Sequence, residues 1–555
     1  MLLAPLVLTL IQAWTHRWMT DDGFINVRVV HQLLAGNGPV FNAGERVEAT
    51  TSPLWLSCLV LGKLLFFWLP VEWVAVVLGI VTTLGAVALA VIAARSAYGT
   101  ARLLPIGVLA YVVLPPAAEF ATSGLEMGLS LLWMSVWYVL LLHAADRPDG
   151  RSLSLAALVV GLGPLIRPDF AVISLLAGAT VLALNRSWTV RRLGAIAGAA
   201  LALPASYQLF RMCYYGNLLP NTAYVKEATT ANWPQGWQYL RDFSQPYWLW
   251  VAGIAVLVAA LASRRQVPKT RRIVFVTPLV VAAVYGTLIV RGGGDFMHAR
   301  MLLPAVFAAQ LPVAAVPVRR SVTALFVAIL LWAAVPLRAG GPPYKGVGPA
   351  GITNERDLYV GKLDHPITID DYASNGLVML GRGARERSEQ GQRNVDDFGV
   401  IWSASQPLDP HAPAFAQRGV YAIAAIGMVS VAAGTNIYIA DHIGLASPIA
   451  SRLQIAKRGR PGHEKSLPPS WIFAMFGDPE APAPKIAPAD AIHTARQALA
   501  CPAIQRMLAR AREPLTLRRM ARNFAESFTD FTTRIDPDPS KELARCSAAL
   551  TDHTP

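Results

Sequence analysis

The sequence predicts a polytopic α-helical membrane protein that carries a C-terminal soluble domain of mixed α/β character. Three observations predict it. Of 555 residues, 54% are hydrophobic and only 15% charged, whereas soluble domains carry roughly 25% charged residues. The apolar residues are unevenly spread: long apolar runs recur from residue 1 to about 337, and after Arg338 proline, glycine and charge replace them. The net charge of +14 comes largely from basic residues in short loops between apolar runs, where they set topology rather than bind nucleic acid. Residues 1–337 are therefore expected to form a membrane domain and 338–555 a soluble one.

The run 1–14 has no small-residue cleavage site before Asp21 and reads as an anchor rather than a signal peptide. Further spans, each needing roughly 20 apolar residues, are expected at 73–94, 103–118, 127–143, 153–165, 170–185, 193–210, 247–263, 273–290, 301–316 and 321–337, about eleven in all. The run 54–70 is expected to lie along the outer surface. Only then do Arg95 and Arg102, Arg147 and Arg151, Arg186, Arg191 and Arg192, the cluster from Arg264 to Arg272, and Arg319 with Arg320 all face inward. This register puts the first loop (15–72), the loops 119–126, 166–169, 211–246 and 291–300, and everything after 337 on the outside.

Those outer segments hold the unusual polar residues, and loops on a rigid scaffold are where function concentrates. In TDDGFINVRVVHQLLAGNGPVFNAGERVEATTSPLW, which starts at Thr20, Asp21 and Asp22 sit where the first apolar run would leave the membrane. Carboxylates there are costly and mark function. One can cap the following helix, which leaves the second for catalysis or metal binding. Gly36, Gly38 and Gly44 mark tight turns. Glu45, Arg46 and Glu48 are expected to form a local ion network, with Arg46 suited to bidentate phosphate contact. ATSGLEMG supplies Glu126 and IRPDF supplies Arg167. YYGNLLPNTAYVKE supplies Asn217, Asn221 and Lys226, the last a candidate for an anionic lipid head. RGGGDFMHAR supplies Asp295, His298 and Arg300. A metal ion, if one is used, has Asp22, Asp295 and His298 as candidate ligands.

In the soluble region, YIADHIGLASPIASRL places Asp441 and His442 at the end of a β-rich run, and RGRPGHEKSLPPSW carries His463, Glu464 and Lys465. Of the four cysteines, Cys501 and Cys546 share this region and can pair in an oxidising compartment, while Cys58 and Cys213 lie elsewhere. The chain contains no phosphate-binding glycine fingerprint and no serine elbow, which argues against a dissolved-nucleotide enzyme. The pattern suits an enzyme that takes a sugar from a lipid carrier to an external acceptor. A carboxylate would deprotonate the acceptor hydroxyl, and cationic side chains or a divalent cation would stabilise the departing phosphate.

The first loop resembles that of the C-type polyprenyl-phosphate glycosyltransferases (the GT-C fold). With ATSGLE, IRPDF, YYGNLLPNTAYVKE, GGGDFMHARMLLP, DHIGLASPIASRL and RPGHEKSLPPSW, the chain is most similar to the mycobacterial terminal arabinofuranosyltransferase B family. The resemblance implies decaprenyl-phosphate arabinofuranose as donor and cell-wall arabinan of arabinogalactan and lipoarabinomannan as acceptor. It implies terminal β-(1→2) links as product, and a plasma-membrane enzyme with its active site and C-terminal domain outside. It carries Asp21, Asp22 and Glu126 over as catalytic acids. Arg46, Arg167, Asn217, Asn221, Lys226, Arg300, His463, Glu464 and Lys465 are expected to meet the donor phosphate or the sugars. A β-linked donor giving a β-linked product implies net retention, whereas one in-line attack with one base inverts, so the acidic pair is expected to do more than deprotonate. Two alternatives are the same fold using another polyprenyl-phosphate sugar such as mannose, and a transporter of lipid-linked glycans. The absence of internal repeats and the gathering of polar residues at one face disfavour the transporter.

Overall fold

The computed structural model describes residues 2–99, 102–227, 230–399 and 403–551. The chain forms two compact units, each assembled from discontinuous segments. The first comprises Met1–Thr20, Ser52–Tyr207 and Thr229–Ile367; the second comprises Asp21–Thr51, Gln208–Ala228 and Thr368–Pro555.

The first unit is helical and apolar. Five helices of the chain are long and apolar enough to cross a membrane: Val71–Tyr98, Met127–Asp146, Val190–Tyr214, Lys269–Gly292 and Arg320–Ala339. The pair Trp233–Ser244 and Leu249–Ser263, bent by 84°, makes a sixth candidate. Ala4–Thr15, Pro53–Leu65, Gly150–Ile166, Pro168–Leu184 and Leu303–Val313 are apolar but only 10–17 residues long. At 1.5 Å per residue they reach about 15–26 Å, short of the roughly 30 Å hydrocarbon layer. Length and composition thus assign five or six spans among the described residues, against the expected eleven.

One expected span differs outright. Residues 103–118 form a two-residue strand, Leu103–Leu104, then two short helices, Ile106–Val112 and Pro115–Phe120. The expected span 301–316 ends in the same way, with helix Leu303–Gln310, a 3-10 turn and a strand at Val316–Pro317 that pairs antiparallel with Leu103–Leu104. Proline accounts for the interruptions: Pro105, Pro115, Pro116 and Pro312 each remove a backbone donor, and a proline in a helix interior breaks it. Apolar composition could be read from the sequence; these breaks within it carry no apolar signature.

Small residues and buried hydroxyls pack these helices, as expected where lipid supplies no hydrophobic drive between them. Gly161 lies directly against the carbonyl of Ala200, leaving no room for a side chain. Ser135 Oγ donates to Ala86 O at 2.9 Å. Trp133 stacks on Phe170 at 5.5 Å, and Phe170 meets Tyr285 edge-on at 5.6 Å, which fixes the segment carrying Arg167.

The second unit is built on a four-stranded sheet. Its order is Ser403–Pro407, Asn394–Phe398, Val420–Ile423, Tyr438–Asp441, the first pair antiparallel and the others parallel. Val395, Val420, Ala422 and Ala440 form its core with Trp471, Ile472, Phe473 and Phe476. Helix Gly427–Ala433 connects the last two parallel strands. Residues 21–51 of the first loop belong to this unit. Helix Asp21–Leu34 is fastened to it by Arg28, 1% exposed, which donates to the carbonyls of Phe41, Ser430 and Ile437 at 3.0 Å each. A disulfide joins Cys501 to Cys546.

Candidate functional site

The acidic pair divides its work. Asp21 opens helix Asp21–Leu34, and its carboxylate accepts from the backbone N–H of Gly427 at 3.0 Å and of Met428 at 2.7 Å. Gly427 is pressed against the Asp21 carbonyl so closely that a Cβ would overlap it. Burial pushes the Asp21 carboxyl up to about 6, the two N–H bonds hold it down, and the charge of Asp22 adds to the rise. Both Asp21 oxygens are therefore spent on the start of another helix. Asp22, one residue and about 100° further round the helix, is only half-buried.

Glu45, Arg46 and Glu48, expected to form a local ion network, each bond a partner elsewhere in the unit. Glu45 accepts from Tyr438 Oη and Arg512 Nε, both at 2.8 Å. Glu48 takes Arg211 as a two-bonded pair at 2.6 and 3.1 Å. Arg46 donates to three carbonyls, those of Tyr214, Arg510 and Glu513, at 3.3, 2.7 and 2.6 Å.

Three of the expected binding residues, Arg46, Asn217 and Asn221, line one cleft in the second unit, together with Tyr215, Arg452 and Arg510. Asn217 Oδ1 accepts from Arg452 Nη2 at 2.7 Å. Asn221 Nδ2 donates to the carbonyls of Gly444, Leu445 and Ser447 at 2.7, 3.2 and 3.1 Å, which pins the loop after Asp441. Lys465 is 2% exposed, and its three donors go to Tyr224 O, Ser451 O and Glu227 Oε1 at 2.9, 2.9 and 3.1 Å. An ammonium has only three donors, so Lys465 holds this unit together and has none left for a ligand. Glu464 accepts from Gly459 N at 2.9 Å and faces Arg458 at 3.2 Å, shaping the loop. His463 is exposed, and Lys226 is half-buried over Gly462. His442 has Leu467 O and Asp397 Oδ1 each 2.9 Å from its two ring nitrogens. Burial alone would lower its pKa, but the bond and charge of Asp397 outweigh burial and raise it.

In the first unit, the remaining candidates are held in ion pairs or hydrogen bonds. Arg167 Nη1 lies 3.1 Å from Glu126 Oε1, and its Nε lies 3.1 Å from Asp169 Oδ1. Tyr285 donates to Asp169 at 2.6 Å. Arg300 pairs with Asp295 at 2.6 Å. His298 has Asp242 Oδ2 2.5 Å from Nδ1 and the Tyr247 hydroxyl 3.0 Å from Nε2. Asp295 and His298 thus have partners other than a metal. Among the described residues no three His, Cys, Asp or Glu side chains are grouped as a metal centre requires. Sequence reasoning missed Tyr285, Asp242, Arg452 and Arg510. Arg452 stood inside the motif DHIGLASPIASRL without being singled out, and Arg510 lies on the buried face of helix Pro502–Arg512, a segment with no motif to mark it.

Relatives give this arrangement a family. The AftB family C-terminal domain matches residues 396–545. The chain is 33% identical to the terminal β-(1→2)-arabinofuranosyltransferase of Mycobacterium tuberculosis, with 97% of this chain and 96% of that protein aligned. It is 34% identical to the protein of the same name from Corynebacterium glutamicum, with 96% and 85% aligned. With a third of its positions identical over nearly its whole length, the chain belongs to the terminal β-(1→2)-arabinofuranosyltransferase family.

Proposed function

We propose that this protein transfers arabinofuranose from decaprenyl-phosphate arabinofuranose to the non-reducing ends of cell-wall arabinan, forming terminal β-(1→2) links at the outer face of the plasma membrane. The observation that carries the reading is the full-length identity to two proteins of that name. The disulfide Cys501–Cys546 supports an oxidising compartment for the C-terminal residues.

In the reaction, the bond between the anomeric carbon and the phosphate oxygen breaks. The phosphate keeps that oxygen and its electron pair and becomes a monoester. The acceptor oxygen bonds to the anomeric carbon, and its proton is lost. Asp22 is the residue assigned to take that proton, on the face from which the phosphate departs, as net retention requires. It is half-buried, whereas Asp21 is buried with its carboxylate on the amides of Gly427 and Met428. Asp21 is a positioning residue that orients the start of the helix bearing Asp22. Glu126, held by Arg167, is the second acid that the family resemblance nominates. The C-terminal residues after Arg338 are assigned to the polysaccharide acceptor.

The test is donor choice. Purified protein offered decaprenyl-phosphate arabinofuranose, decaprenyl-phosphate mannose or a nucleotide sugar, with an arabinan oligosaccharide as acceptor, should extend it with the first alone. Equal transfer of mannose, or turnover with a nucleotide sugar, would contradict the assignment.

A further inference from the structure

Positive charge accumulates in the cleft lined by Arg46, Tyr215, Asn217, Asn221, Arg452 and Arg510. Arg452 and Arg510 are 2% and 3% exposed, and burying a charge is costly unless it is paired. Arg510 has a counterion, Asp530 Oδ2, at 3.2 Å. Arg452 has none within ion-pair distance among the described residues. It meets the carbonyls of Asp530 and Phe531 at 3.0 and 3.2 Å, Asn217, and the face of Tyr224 at 3.4 Å. Arg46 likewise meets only carbonyls. Within ion-pair distance the three guanidiniums share one carboxylate, Asp530, with Glu513 and Glu526 acting on Arg46 and Arg510 from further off. Burial pushes Arg452 down to about 10, with Arg510 and Arg534 adding repulsion.

We propose that this cleft binds a phosphate monoester in its dianionic form. Guanidiniums offer the forked donors that phosphate oxygens accept, and the two cations without a carboxylate at ion-pair distance match two negative charges. The proposal rests on the donor chemistry above. A donor phosphodiester carries one charge, whereas the carrier left after transfer is a monoester with about −1.5 to −2 at pH 7. Arabinan is neutral and gives these arginines no counterion. The cleft therefore discriminates the spent carrier from the loaded one, and free phosphate shares its chemistry.

The experiment is calorimetric titration of the full-length protein in detergent at pH 7.5 with farnesyl phosphate, its methyl diester and inorganic phosphate. The monoester should bind saturably and at least about tenfold more tightly than the diester, and Arg46→Gln should weaken it about tenfold. Arg452→Lys keeps a charge but loses the fork, and should weaken binding in a protein that still unfolds cooperatively. Competition by inorganic phosphate supports recognition of the phosphate itself. Inorganic phosphate binding without farnesyl phosphate binding identifies solution phosphate as the source, and likewise supports the cleft. Equal affinity for monoester and diester, or no effect of either variant, overturns the proposal. Arabinofuranosyl transfer is measured on the same preparation. Transfer without monoester preference sinks only the cleft, and monoester binding without transfer sinks only the enzymatic reading.

Discussion

The arginines that the sequence singles out meet different partners in the two units, although Arg211 and Arg512 of the sheet unit also pair with carboxylates, Glu48 and Glu45. In the helical unit Arg167 lies between Glu126 and Asp169, and Arg300 lies against Asp295. In the sheet unit Arg46 and Arg452 meet carbonyls and an amide instead. The sequence nominates Arg46, Arg167 and Arg300 for the same role, and Arg46 lines the cleft of the sheet unit. The difference follows from surroundings. Burying a charge in apolar surroundings is costly unless it is paired, and the two buried arginines Arg167 and Arg300 each lie against a carboxylate. A unit with more polar surface can keep a surplus for a ligand. Counterions, not residue type, decide which arginines are available.

The contrast can be broken by substitution. The largest effect belongs to the acidic pair: Asp22→Asn should lower transfer by roughly 10²–10⁴ without changing the unfolding temperature. Asp21→Asn, which keeps one acceptor for the Gly427–Met428 amides, should retain most activity. Equal losses in both would remove the division between base and positioning residue. Next, Arg167→Met leaves Glu126 and Asp169 without their cation and should cost about 3–5 kcal/mol. Arg46→Gln, which strands no carboxylate, should cost only about 1–2 kcal/mol. Chemical unfolding in detergent compares them, and similar losses would erase the contrast.

A third test uses the disulfide, which among the described residues only the sheet unit contains. Cys501 and Cys546 are 45 residues apart, so opening the bridge should cost about 4 kcal/mol on the chain-entropy account. Hydrogen exchange with and without reductant should show loss of protection in the sheet unit and none in helix Met127–Asp146. The smallest effect concerns pH. Asp21 has a folded pKa near 6, raised from 3.8. Its contribution is full below 3.8 and is lost as pH rises through 6, about 2–3 kcal/mol in all. Asp21→Asn should flatten that slope in unfolding midpoints taken from pH 3.5 to 7.

Much of the fold was legible in local pattern. The apolar runs, the turn at Gly38 (φ 86°) and the β-rich run ending at Asp441 all appear where composition places them. The proline breaks at 105 and 115–116 were visible as residues but were outweighed by apolar count over 103–118. What the sequence hid is pairing across distance. Asp21 caps a helix 406 residues away, and Lys465 is spent on Tyr224, 241 residues away. Each looks like a free functional group until its partner is known. Arg452 is the converse case, a motif residue whose importance shows only once carbonyls, rather than carboxylates, surround it.

Arg28 has a temporal consequence. It draws on Ser430 and Ile437, some 400 residues further along the chain. A ribosome that has threaded the early helices still holds a nascent protein whose acidic doublet lacks its final mooring. The doublet therefore gains its full set of contacts only as synthesis nears its end.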